Sequence, residues 1–311
     1  MMNLLVISVV LCTLTLSYAA PVRVNLTLSG EMSKRSSQGF CIKYIYVMAF
    51  TSALPDAASN HAKFIGIKAN GKSDKNSFAL LELPNLPGDD YKGNKGDFWK
   101  VYIPYSECVT AEDIGEISIA NSGSDGWNID SVVTFVTSDQ YPLQWQLSSV
   151  DLGVNQWIDD QISGAQNFPL TLTQPIKQGF CIKRLYVMAF TSGLPGAESD
   201  DAKYIVMKVN GKAVTDLFAH LPDLPGDDYS KNKGDLWQLN IHFSECVTAE
   251  DIGEIAIANS GSDGWNINSI VTFVTSDRRQ HWQLSSVDLD VNQWIDDEIA
   301  GAQYFPLTLT L

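Results

Sequence analysis

Four histidines, His61, His220, His242 and His281, are the first candidates for general acid or base chemistry near neutral pH. The chain contains a long internal repeat, and the matching positions in the other copy hold Asp201, Glu82, Pro104 and Gln144. No histidine is shared, so a reaction common to both copies has no histidine base. The carboxylate pairs Asp159–Asp160 and Asp296–Asp297 are shared, and paired carboxylates are the apparatus of glycoside hydrolysis. Neighbouring residues on a strand or helix point apart, so each pair reads as a turn instead. The chain has no G-x-S-x-G elbow, no H-E-x-x-H and no phosphate loop. These residues point to a protein that is not an enzyme.

Two identical stretches, "IANSGSDGWNI" from Ile119 and again from Ile257, raise a different chemistry. Gly123 and Gly126 suit a sharp turn, Asn121 and Asp125 can cap backbone groups, and a tryptophan follows each loop. Trp127 and Trp265 lead straight into alternating strand residues, which favours packing over the sandwich edge. The other role open to them is that of lipid-contacting ligand residues at a loop tip.

The formal net charge of -15 excludes nucleic acid, because nothing here would release counterions from a phosphate backbone. It leaves cationic partners and metal ions open. The apolar run "MMNLLVISVVLCTLTLSYA" ends in the small-x-small triplet Ser17, Tyr18, Ala19, so residues 1–19 read as a signal peptide and the protein as secreted and extracellular. No later run reaches the roughly 20 apolar residues of a membrane span, so no transmembrane segment is expected. Asn25 heads the sequon Asn25-Leu26-Thr27 and is the expected glycosylation site. Lys34-Arg35 reads as an exposed dibasic pair, with a processing site as the alternative.

Of five cysteines, Cys12 leaves with the signal peptide. The other four, Cys41, Cys108, Cys181 and Cys246, allow three pairings. Cys41 with Cys108 and Cys181 with Cys246 is the simplest, because each copy of the repeat then closes its own bridge. In an oxidising compartment such a bridge stabilises a module by about 2 to 4 kcal/mol.

The elements that would position these residues are strands. "QGFCIKYIYVMAFTS" from Gln38 recurs from Gln178, and "VTAEDIGEI" from Val109 recurs from Val247, with a loop deletion between Lys72 and Leu83. "WQLSSVDL" from Trp145 recurs from Trp282, and the likeness continues to the C-terminus. The period is far above the roughly 20 to 50 residues of stacked arrays, so these are two modules, 20–173 and 174–311. Their joint "TQPIK" is short, which keeps them close. Within each, runs such as "IKYIYVMAF", "DFWKVYIPY" and "NIDSVVTFVT" are separated by Pro-, Gly- and Asp-rich turns, the pattern of an all-β, antiparallel β-sandwich. "TAEDIGEI" predicts one helical turn with Thr110 as N-cap and Asp113 closing a capping box.

The order "YVMAFTS", "SDDAKYIVMKVNGK", "GDLWQLNI", "DIGEIAIANSGSDGWNINSIVTFV" resembles the PLAT or LH2 domain of lipoxygenases, lipases and polycystins. The likeness covers about 100 residues of each copy. It implies a β-sandwich that contacts a lipid surface or an extracellular protein partner. It also implies calcium, held between neighbouring loops whose oxygens converge at about 2.3 to 2.6 Å. In the second module the loop residues are Asp200, Asp201 and Asp263, with Asp227 and Asp228 of "PGDDY" as a third source. The first module offers Asp89, Asp90 and Asp125, but Asn60 and His61 stand in place of the two acids, so its site should be weaker. Ala120 and Ala258 stand where the family usually has Asp. The resulting expectation is a secreted binding protein with two PLAT-like modules, assisted by calcium. The alternative is an acidic structural protein of the extracellular matrix, including one associated with mineral.

Overall fold

The computed structural model describes residues 40–70, 78–86, 93, 95–138, 144–162, 165–173, 179–211, 217–224, 229–276, 281–298 and 302–310. The signal peptide, Asn25, Lys34-Arg35 and the acids Asp89, Asp90, Asp227 and Asp228 lie outside these residues. The first repeat supplies β1 (Tyr44–Thr51), β2 (Lys63–Ala69), β3 (Phe78–Leu83), β4 (Gly96–Tyr102), β5 (Ile114–Asn121), β6 (Trp127–Thr137), β7 (Trp145–Asp151), β8 (Gln156–Ile158) and β9 (Asn167–Leu170). The second supplies β10 (Arg184–Thr191), β11 (Lys203–Val209), β12 (Leu217–Leu221), β13 (Gly234–Asn240), β14 (Ile252–Asn259), β15 (Trp265–Thr275), β16 (Trp282–Asp288), β17 (Gln293–Ile295) and β18 (Tyr304–Leu307). The expected helical turn forms as a 3-10 turn at Ala111–Asp113, where Thr110 N–H donates to Asp113 Oδ2 at 2.8 Å. The second repeat has the same turn at Ala249–Asp251.

Each repeat is an antiparallel sandwich. The outer sheets run β3-β2-β5-β9 and β12-β11-β14-β18. The inner strands run β4-β1-β6-β7 and β13-β10-β15-β16, and these join into one ten-stranded sheet through β4 and β13. The sequence of β1 accounts for its place. Ile45, Val47 and Ala49 alternate with Tyr46, Met48 and Phe50, and no residue of the run is polar. An apolar strand without alternation is buried on both faces. The first set packs in the sandwich core with Ile65, Ile117 and Trp127, while the second set enters a separate cluster. That cluster draws on both repeats, because Tyr186, Met188, Phe190 and Phe273 belong to it too. The layers are therefore outer sheet, inner sheet, inner sheet, outer sheet, with three apolar layers between them.

Where the inner sheets meet, Gly96 pairs with Gly234. A Cβ at Gly96 would come within 2.7 Å of Phe50 Cδ1, so the approach of β4 to the aromatic layer depends on the missing side chain. Phe190 lies 5.3 Å from Phe98 and 6.3 Å from Phe50, ring centre to ring centre. Two ion pairs cross the same seam reciprocally. Lys233 Nζ lies 3.0 Å from Asp97 Oδ1, and Lys95 Nζ lies 3.4 Å from Asp235 Oδ1. All four side chains are buried, so each charge depends on its partners across the seam. Gln38–Leu311 accordingly forms one compact unit. Each repeat also closes its own disulfide, Cys41 to Cys108 and Cys181 to Cys246.

Candidate binding surfaces

The repeated loop after β5 is held from within. Asn121 Nδ2 donates to the carbonyls of Gly123 at 3.1 Å and Asp125 at 2.8 Å, and Asn259 Nδ2 reaches those of Gly261 and Asp263, both at 3.0 Å. The strand start that follows is fully buried. Trp127 and Trp265 are 0% exposed, and their Nε1 groups donate to Thr51 Oγ1 at 2.8 Å and Thr191 Oγ1 at 2.9 Å. The lipid-contacting role open to both tryptophans is thereby corrected: they are core residues with a satisfied polar tip.

The same end of each sandwich brings the acidic loops together. In the second repeat Asp263 Oδ2 accepts from Asp200 N–H at 2.9 Å, and Asp201 Oδ2 accepts from Asp263 N–H at 2.7 Å. Ser199 Oγ adds a bond to the Asp263 carbonyl at 2.7 Å. The two loops thus clasp each other through carboxylate-to-backbone bonds. The first repeat keeps half of the clasp, with Asn60 N–H donating to Asp125 Oδ2 at 3.0 Å.

Beneath each clasp lies a lysine at the inward phase of β2 or β11. Lys203 is 0% exposed, and its ammonium donates to Ser199 Oγ at 2.7 Å and the Asp201 carbonyl at 2.6 Å. It also faces the ring of Tyr229 at 4.7 Å and that of Trp265 at 5.7 Å. Lys63 repeats the arrangement with Ser59 Oγ at 2.9 Å, the His61 carbonyl at 2.6 Å and the Trp127 ring at 5.5 Å. Sequence reasoning overlooked these lysines. The signal was available, since Lys63, Ile65 and Ile67 share one strand phase, as do Lys203, Ile205 and Met207.

This geometry bears on calcium. A cation already sits under the loops, and one oxygen each of Asp201 and Asp263 is committed to backbone N–H. Among the described residues no group of three His, Cys, Asp or Glu side chains is placed to hold a metal ion. Described alone, these residues fit a clasp better than a metal cage, because calcium takes six to eight oxygens. Of the acids named from the sequence, Asp200, Asp201 and Asp263 are brought together, and Asp125 keeps its half of the first clasp. The pairs Asp159–Asp160 and Asp296–Asp297 form turns, with Asp159 Oδ1 accepting from Gln161 N–H at 2.8 Å and Asp296 Oδ1 from Glu298 N–H at 2.9 Å.

A second feature was not singled out from the sequence. Leu54 and Leu194, equivalent in the two repeats, are 46% and 44% exposed on the loops that follow β1 and β10. Leu54 shares a cavity with Gly234 and Leu236 of the other repeat, and the Leu194 loop shares one with Phe98. Both leucines therefore flank the β4–β13 seam. A further equivalent pair, Leu80 and Phe218, stands exposed on β3 and β12.

The architecture defines an all-β protein of paired antiparallel sandwiches. No protein-family model and no curated protein matches the chain. Among solved structures it is similar to the alpha toxin from Clostridium absonum, with 19% identity and a TM-score of 0.35, over 45% of this chain and 34% of that one. The chain thus spans about a third of that protein's length. No described helix is long and apolar enough to cross a membrane.

Proposed function

We propose that this chain is a secreted, non-enzymatic binding protein whose PLAT-like repeats contact a lipid surface or an extracellular protein. The observation that carries the reading is the pair Leu54 and Leu194. A large apolar side chain is left about half exposed at the same loop position in both repeats, so the two together offer a repeated apolar contact. Being on either side of one seam, the two leucines offer a double contact from a single rigid unit, which raises avidity without any new interaction. The motif order shared with PLAT domains supports the same ligand classes. Disulfides in both repeats suit an oxidising, extracellular setting.

Calcium enters this reading as an assistant in the second repeat. It would need Asp227 and Asp228 beside the clasp, because Asp200, Asp201 and Asp263 by themselves form no metal-holding group. Sedimentation with zwitterionic and with anionic vesicles, each with and without calcium, tests the lipid form. The wild-type chain is expected to sediment with one of them, and Leu54→Ser with Leu194→Ser to remain in solution. If no vesicle carries the wild type down and the double variant behaves identically, lipid contact is wrong. The net charge of -15 favours a second reading, an acidic matrix component that binds calcium diffusely. In that case calcium uptake would scale with total carboxylates and ignore both leucines.

A further inference from the structure

The outermost strands of the two inner sheets, β7 and β16, approach each other across the molecule from the β4–β13 seam, each bridged on its outer side by the chain at Leu172 or Leu309. Between them lies a cleft of about 980 Å³. One wall carries the aromatic rings of Phe40, Tyr46 and Trp145, and the other the side chains of Val287, Leu289 and Val291. Lys100, Asp290, Gln144 and Gln146 supply open polar groups, and Asp288 also lines the cleft with its two oxygens accepting from Thr308 N–H and Oγ1, both at 2.6 Å. Volume, apolar walls and a few convergent polar groups are the attributes of a small-molecule site.

The repeat provides a comparison inside the same chain. At the equivalent place Phe180, Tyr186 and Trp282 retain the aromatic wall, but Lys100 is replaced by Gln238, Gln144 by His281 and Asp290 by Gly153. There the groups satisfy one another. Tyr186 Oη donates to Gln238 Oε1 at 2.8 Å, Phe180 stacks on His281 at 5.9 Å, and Trp282 is only 9% exposed. At the cleft, Trp145 stays partly exposed beside Tyr46, with ring centres 5.2 Å apart. The Lys100 ammonium stands 4.8 Å from the Tyr44 ring and 5.7 Å from the Tyr46 ring. Asp290 holds a φ of +54° where Gly153 holds +62°. An L residue keeps that conformation at an energetic cost, and such costs gather at functional positions. Burial raises the pKa of the Tyr46 hydroxyl, Lys100 opposes the rise and Asp290 adds to it, so both charges act at the aromatic wall.

The lining restricts what can bind. A purely apolar ligand would strip water from Lys100, Asp290 and Gln144 and return no hydrogen bonds. An anion would face Asp288 and Asp290, and a cation Lys100; because Thr308 already occupies both Asp288 oxygens, the charges open to a ligand are Lys100 and Asp290. The fitting ligand is uncharged, has groups that both donate and accept, and has one apolar face for the rings. We infer that the β7–β16 cleft binds a short neutral oligosaccharide, with Trp145 and Tyr46 covering a sugar ring and Lys100, Asp290, Gln144 and Gln146 bonding its hydroxyls. This goes beyond the leucine surface, and its failure leaves that reading intact.

The test is calorimetric titration of the full chain with cellotetraose, chitotetraose, maltotetraose and mannotetraose, with tryptophan fluorescence recorded in parallel. Lys100→Gln and Asp290→Gly serve as variants, since each installs the residue that the other repeat already carries and folds around. At least one sugar should bind in the micromolar to millimolar range and perturb the emission. Each variant should weaken binding by about tenfold, the effect expected from removing one hydrogen-bonding partner of a desolvated hydroxyl. No binding of any sugar at millimolar concentration overturns the inference. So does undiminished binding in either folded variant, or binding of monomeric dodecylphosphocholine in place of every sugar.

Discussion

Replacing Asp97 by Asn tests whether the two repeats are one cooperative body. Asp97 belongs to the first repeat and its side chain is 0% exposed, yet its Oδ1 lies 3.0 Å from Lys233 Nζ of the second. The substitution takes a buried carboxylate from a buried ammonium, a change that costs about 3 to 5 kcal/mol when one partner of such a pair is removed. Further contacts of both residues put the expected loss at the lower end, about 3 kcal/mol. Each kcal/mol moves the midpoint by roughly 2 to 4 °C in chains of 150 to 250 residues and by less in a longer cooperative unit, so Tm should fall by about 5 °C. The assay is scanning calorimetry at neutral pH, with urea unfolding followed by tryptophan emission. A single transition should move as a whole with its m-value unchanged, because the shared aromatic layer couples both sandwiches. The paired change Asp97→Leu with Lys233→Met should recover most of the loss, since apolar residues can replace a buried ion pair. Two resolved transitions of which only one shifts, or a fall in Tm below 2 °C, would refute the reasoning.

Three other outcomes follow from particular contacts. Replacing Cys41 and Cys108 with Ala opens a loop of 67 residues and should cost about 4 kcal/mol by the loop-entropy relation, read as a lower urea midpoint; a change under 1 kcal/mol would contradict it. Tyr304 Oη donates to Glu254 Oε1 at 2.6 Å, and that bond, followed by the one from Lys208, holds the Glu254 pKa below its usual value. Its contribution is thus present above the unfolded-state carboxylate pKa and lost as pH falls through the lowered folded value; carbon-detected NMR titration should find the Glu254 pKa higher in Tyr304→Phe, and an unmoved titration would count against it. Calcium should raise the Tm of the intact chain, and Asp200→Asn with Asp201→His, which installs the first repeat's residues, should reduce that rise; equal shifts in both proteins would leave the loops as clasps alone.

The strands, the sandwich class and the pairing of the cysteines were legible because each depends on local pattern and on the repeat. The 3-10 turn at Ala111–Asp113 was legible for the same reason, its capping residues being three apart. Burial of both faces of β1 was implicit in "YIYVMAF", but not what covers the second face. A run such as Tyr46, Met48, Phe50 states only that a partner exists. The partner proved to be the matching run of the other repeat, and no periodicity records a contact between residues 140 positions apart, as between Phe50 and Phe190. The acidic loops were read as ligands because charge in a turn reads the same whether it faces solvent, a metal or a backbone N–H. The inward lysines add a buried cation beneath those loops, and they were hidden because lysine is ordinarily a surface residue.

The reciprocal pairs Lys95–Asp235 and Lys233–Asp97 follow the rule of a two-fold contact, in which residue i of one copy meets j of the other and j meets i. Here the two copies are covalently joined, so the contact forms at high effective concentration and holds whatever becomes of the remaining surface. That arrangement separates two kinds of position. Several on the shared face keep their counterparts: Gly96 matches Gly234 and Phe50 matches Phe190, while Phe98 is answered by Leu236. Positions away from it are free to differ, and they do so where binding chemistry would gain. Lys100 and Asp290 face Gln238 and Gly153 at the two cleft positions, and Asp200 and Asp201 stand against Asn60 and His61 at the clasp. A symmetric scaffold with asymmetric rims can present two different surfaces from one rigid body. The cleft and the second clasp are therefore the places where exchanging residues between repeats should change binding while leaving the fold in place.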